Sequence, residues 1–138
     1  MQAINYRRVW LGGLLASLVL LVGEVAMIAC LHTRLMAARE AAKLPTTAPN
    51  PVLGIAELLL TGAFLVWLYA AVRPRFGARW MTAIRSGVAA WFAIVMITTV
   101  HMVNDNFGMP VYLLVVVAVW MLPCVVAASL AGGWVYRE

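Results

Sequence analysis

Two carboxylic acids, Glu24 and Glu57, stand inside strongly apolar stretches, LVLLVGEVAMIACLH at residues 18–32 and VLGIAELLLTGAFLVWLY at residues 52–69. His32 closes the first stretch, and His101 lies near the end of a third, with Asn104 and Asp105 beyond it. An ionisable group in a membrane span costs on the order of 2.5 to 3.5 kcal/mol on insertion scales, so it is expected to turn inward and to mark a working site. Glu24 is seven residues and Glu57 five residues inside one and the same outer boundary. At 1.5 Å per residue both lie about 8 to 10 Å below it, and the antiparallel hairpin brings them to one level. Glu24, Glu57 and His101 therefore form the expected ligand or proton site, with His32, Asn104 and Asp105 as secondary members.

Two carboxyls at one depth can share a proton or hold a cation between them. A single protonated acid bonded across helices would instead serve as structural glue. Glu and His can also hold zinc or iron, but no His-x-x-His or Glu-x-x-His spacing occurs. A haem between His32 and His101 would lie too near the surface for a buried site. Nucleophile-elbow, Walker and dinucleotide motifs are absent. Cofactor and metal identity therefore stay open.

The elements that must position these groups are plain from composition. Of 138 residues, 65% are hydrophobic and 11% charged, against roughly 25% charged in soluble domains. Four windows are long enough to cross a core of about 30 Å: Val9 to Leu31, Val52 to Val72, Thr82 to about Val103, and Val111 to about Trp134. The expectation is one all-α transmembrane domain over residues 1–138, an integral membrane four-helix bundle. The net charge of +5 sits at the ends of the apolar runs, which reads as a topology signal and not as a nucleic-acid surface. Arg7, Arg8, Arg73, Arg75, Arg79, Arg85 and Arg137 fall on one side, against Arg34, Arg39 and Lys43 on the other, so both termini are expected in the cytoplasm. Tyr6, Trp10, Trp67, Tyr69, Trp80, Trp134 and Tyr136 at the inner boundary, with Phe107 and Tyr112 at the outer one, read as interfacial anchors.

YRRVWL imitates a twin-arginine leader and MIAC a lipoprotein cleavage box, but Glu24 interrupts the apolar core such a leader needs. The segment is expected to be a retained first helix. Cys30 at the outer surface and Cys124 some 20 Å deeper are too far apart to pair. HTRLMAAREAAKLPTTAPNP, residues 32–51, predicts a short interfacial helix and then an extended strap broken at Pro45, Pro49 and Pro51.

Small residues gather toward the inner half: Gly12, Gly13, Ala16 and Ser17; Ala83, Ser86, Gly87 and Ala90; Ala127, Ala128, Ala131 and Gly132. They predict close helix packing there, with the polar groups in a bulkier outer half. Pro123 is expected to kink the fourth helix and free a carbonyl, and Trp91, Trp120 and the eight Met to pack. His32 and His101, and WLY at 67–69 and WVY at 134–136, recur at offsets of 69 and 67, as in a duplicated hairpin.

NYRRVWLGGLLA with VGE following, VWLYAAVRPRFG and the closing LAGGWVYRE resemble a family of small four-span bacterial inner-membrane proteins with no assigned activity. The likeness covers both ends and the inner loop and implies a multi-pass protein of the bacterial inner (plasma) membrane. The first expectation for function is an accessory or assembly subunit, in contact with lipid and with a membrane protein partner or another copy of itself. A small proton or cation transporter using Glu24 and Glu57 is the alternative, although the inner half offers no polar path. A metal-dependent or lipid-modifying membrane enzyme ranks third.

Overall fold

The computed structural model describes residues 4–44, 50–77, 79–105 and 108–137. Phe107, Pro45 and Pro49, and with them most of the expected strap, lie outside the described residues. Helix α1 runs Tyr6–Ala41, α2 Pro51–Phe76, α3 Trp80–Trp91, α4 Ile97–Asn104 and α5 Val111–Arg137. A π-helical turn, Phe92–Met96, joins α3 to α4 in one continuous third span, Trp80–Asn104. Four helices are long and apolar enough to cross a membrane. Their outward faces carry Leu14, Leu18, Val22, Val115 and Val119, the surface expected of a chain whose solvent is lipid. This is a small multi-pass membrane protein built as an all-α bundle.

Local chemistry sets the helix ends. Asn5 caps α1 by accepting from the Arg8 N–H at 3.2 Å, and Asn50 caps α2 by accepting from Val52 at 3.0 Å, with Pro51 at the first helical position. Between α2 and α3 the chain turns at Gly77, whose φ of 78° suits glycine. The Thr82 hydroxyl donates to the carbonyls of Phe76 and Gly77 at 3.2 and 2.9 Å.

Two spans differ from expectation. α1 does not stop at Leu31 for a separate interfacial helix but continues through Ala41, some 36 residues and about 54 Å. The Ala-rich run AAREAA propagates a helix already nucleated, and Gly108 of the far loop packs on Ala42. α2 passes Val72 and Pro74 and ends at Phe76.

The Asn5 N–H donates to the Tyr136 hydroxyl at 3.3 Å, which brings both ends of the chain together at what we call the terminal end. The α1–α2 and α4–α5 connections lie at the distal end. Near the terminal end the helices are in close contact, as the small residues predict. Gly12, Gly13, Ala16 and Ser17 are buried, as are Ala83, Ser86, Gly87 and Ala90. On α5 the buried face is Val125, Ala128, Ser129, Gly132, Gly133 and Tyr136, while Ala127 is exposed and Ala131 half-buried. Hydroxyls stitch the seam: Ser17 donates to Leu58 O at 2.8 Å, and Ser129 donates to Ala83 O at 2.8 Å beside Ser86.

α2 and α5 touch along the middle of the bundle, while α1 and the third span flank them without meeting. Gly62 of α2 packs on Ser17 of α1, and Gly87 of α3 on Ser129 of α5, positions 70 and 67 residues apart. Tyr69 and Tyr136 meet edge to face, 6.2 Å between ring centres, while Trp67 and Trp134 point outward. A duplicated hairpin would produce this arrangement. It also corrects two of the anchors: Tyr69 and Tyr136 are buried core residues, and the Arg73 guanidinium lies 5.7 Å from the Tyr136 ring centre.

Candidate functional site

The distal half is built differently. α4 has no buried residue and touches only α5 and the π turn. Tryptophan Nε1 of Trp91 donates to Ala118 O at 2.8 Å, holding the third span to α5 just before the π turn. Beyond that turn the span leaves the bundle. A π turn shifts the side chains after it by one position relative to a regular helix, and the Ile97 N–H reaches back to Phe92 O. Thr98 and Thr99 bond the carbonyls of Ile94 and Val95 at 2.5 and 2.7 Å, giving those groups the partners that a disturbed ladder demands.

The departure of α4 leaves a cavity of about 240 Å³ among the helices. Leu20, Ala90 and Val125 line its deep end and Met102 and Leu114 its distal end. From Leu114 to Val125 it follows eleven residues of α5, about 16 Å. Glu24 and Glu57 both line it, together with Thr61, Thr98 and Thr99. α2 and α4 make no contact, and Glu57 and Thr98 are exposed, so the cavity opens sideways between those helices. Toward the terminal end it is stopped by the layer of Leu65, Val66, Ala128 and Ser129, all fully buried.

The two acids therefore share one space, and Glu57 is the charged group that bears on Glu24. Neither carboxylate has a hydrogen-bond or ion-pair partner among the described residues. Glu57 is six residues from the start of α2 at Pro51, close to the five expected, whereas Glu24 is 17 residues from the distal end of α1 at Ala41 and not seven. Gly23 packs against Cys124, the middle of α5, and accepts from Trp120 Nε1 at 3.2 Å. Glu24 is thus near mid-span, because α1 outruns the boundary assigned at Leu31. Trp120 holds Glu24's stretch of α1 against α5. Trp120→Phe should cost about 0.5 to 1.5 kcal/mol in thermal unfolding, with Trp134→Phe, on an exposed ring, as the silent comparison. Equal melting of the two variants would remove this positioning role.

The histidines do not join the acids. His101 lies on α4 facing out, 75% exposed, with Nδ1 3.7 Å from Asp105, which Asn104 also contacts at 3.3 Å. His32 is exposed on the extension of α1. No three His, Cys, Asp or Glu side chains converge as a metal set among the described residues, and Cys30 and Cys124 are both free thiols. Pro123 lies within a continuous α5, exposed. The sequence reading missed Thr61, Thr98 and Thr99. Their signal was present: hydroxyls among otherwise apolar residues of the distal half-spans, one of them four residues from Glu57 on the same helix face. No family model, curated protein or solved structure matches the chain.

Proposed function

We propose that the protein is an accessory or assembly subunit of a membrane complex, seated in a bacterial inner membrane with both termini in the cytoplasm. The observation that carries this reading is the unfinished distal half of the bundle. The first seven residues of α2, Pro51 to Glu57, are all exposed, as is Leu60, and α4 buries nothing. The occupant is an apolar transmembrane helix of a different chain, laid along Val52, Ile55 and Leu60. A second copy of this protein docked there would bring another Glu57 toward the first, and like charges at this depth repel.

A photo-crosslinking residue at Ile55 or Leu60 should give one adduct of defined mass, in a complex that purifies at fixed stoichiometry, while Leu18 on α1 gives none. A monodisperse monomer whose Ile55 couples only to lipid would overturn the reading. Adducts to a second copy would replace it with a homo-oligomer. For orientation, reporters fused at Arg75 and Lys43 should read cytoplasmic and external respectively, following the arginine asymmetry; the opposite pattern would invert the topology.

Cation or proton transport is the second reading, favoured by two carboxylates in one cavity. It needs a route past Leu65, Val66, Ala128 and Ser129, and those side chains are close-packed. Flux into proteoliposomes that is lost in Glu24→Gln would put transport first. For the enzyme reading, no three His, Cys, Asp or Glu side chains converge as a metal set among the described residues.

A further inference from the structure

The cavity has a chemical polarity of its own. Its deep part holds Glu24, Glu57 and Thr61, and its distal part Met102, Leu114 and Val117. We propose that this cavity binds a lipophilic primary amine, its ammonium between Glu24, Glu57 and Thr61 and its apolar tail along Val117, Leu114 and Met102. An –NH₃⁺ group has three donors and no acceptor. Two carboxylates and a hydroxyl, on α1 and α2, offer three acceptor groups around one space. An unpaired carboxylate away from water is costly, and a cation between the two offsets both.

Other ligands fit less well. An anion would meet two acids. Quaternary ammonium groups are held by aromatic faces, and among the described residues no aromatic side chain lines the cavity. Calcium takes six to eight oxygens, whereas the deep part holds five, four from Glu24 and Glu57 and one from Thr61, and the surrounding Leu, Ile, Val and Met walls do not suit a hydrated ion. At about 240 Å³ the space is smaller than the roughly 300 to 1,000 Å³ of drug-sized sites, which limits the tail to a short chain. The amine site needs nothing from a partner on α2, so it stands or falls separately from the accessory-subunit reading.

The test uses the purified full chain in nanodiscs of zwitterionic lipid, titrated with octylammonium and followed by thermal stability and by tryptophan fluorescence, Trp120 adjoining the cavity-lining Met121 in sequence. Saturable binding is expected, at least tenfold weaker in Glu24→Gln and in Glu57→Gln and unchanged in Glu40→Gln, an acid outside the cavity. Val117→Trp, which keeps both acids and fills the apolar part, should also abolish it while leaving the bundle folded. Octanol and octyltrimethylammonium should each bind at least tenfold more weakly than octylammonium. Equal responses to octanol, equal affinity in both Gln variants, or saturation by Na⁺ or K⁺ alone without any response to octylammonium would each overturn the proposal.

Discussion

Gly62→Val should unfold the bundle or lower its stability by more than the roughly 1 to 3 kcal/mol typical of an overpacked core. A Cβ at Gly62 would overlap the Ser17 hydroxyl and the Gly13 carbonyl, and would lie 2.9 Å from the Ser17 nitrogen. Two of those three atoms belong to the backbone of α1, so no rotamer change clears them. The helices must part, and parting breaks the Ser17 bond to Leu58 O. In lipid no hydrophobic drive holds such a pair together, only contact and polar bonds. Gly87→Val should do less harm, because its nearest atoms, in Val126 and Ser129, lie at 3.0 and 3.1 Å. Gly54→Ala, with nothing within 4 Å, should be neutral or up to about 1 kcal/mol stabilising through helix propensity. Reversible unfolding in mild detergent gives the ranking, and a Gly62→Val protein as stable as wild type would contradict the packing described.

Glu24→Leu should have the opposite sign. A half-buried acid that bonds nothing in the bundle is a cost of about 1 to 3 kcal/mol, and leucine removes it without adding a branch at Cβ. Thermal unfolding of Glu24→Leu should therefore shift upward by several degrees, and Glu24→Leu/Glu57→Leu further, while octylammonium binding disappears. This gain distinguishes a ligand site from structural glue. If Glu24 held helices together through a bond across the bundle, the same substitution would lower stability. Proteins commonly keep such costly groups where a site requires them.

What the sequence made legible follows from which signals are local. Four apolar windows, the small residues of α1 and α3 and the presence of one acid on each helix of an antiparallel hairpin all follow from composition and spacing. The extension of α1 was hidden because residues 33–41, though helix formers, carry charges that suggest a separate interfacial helix after the apolar run ends at Leu31. Tyr69 and Tyr136 read as anchors in the sequence because position near a boundary says nothing about which face a ring occupies. The π turn at Phe92–Met96 has no motif in FAIVM. A regular helix there places His101 with the acids; with the π turn, α4 swings away, His101 faces out, and Thr98 and Thr99 border the space beside Glu57.

The central claim is that Glu24 and Glu57 face one cavity while His101 does not, and a crosslinking measurement in native membranes tests it most directly. In a chain with Cys30→Ser and Cys124→Ser, the pair Glu24→Cys/Glu57→Cys should be joined by a short bis-maleimide. The pair Glu24→Cys/His101→Cys should not be. Ser86→Cys/Ser129→Cys, whose native hydroxyls are buried and 3.2 Å apart, should close a disulfide directly under mild oxidation and serves as the reference for the intact bundle. Joining of Glu24 to His101 in place of Glu57, with the reference pair intact, would contradict the account.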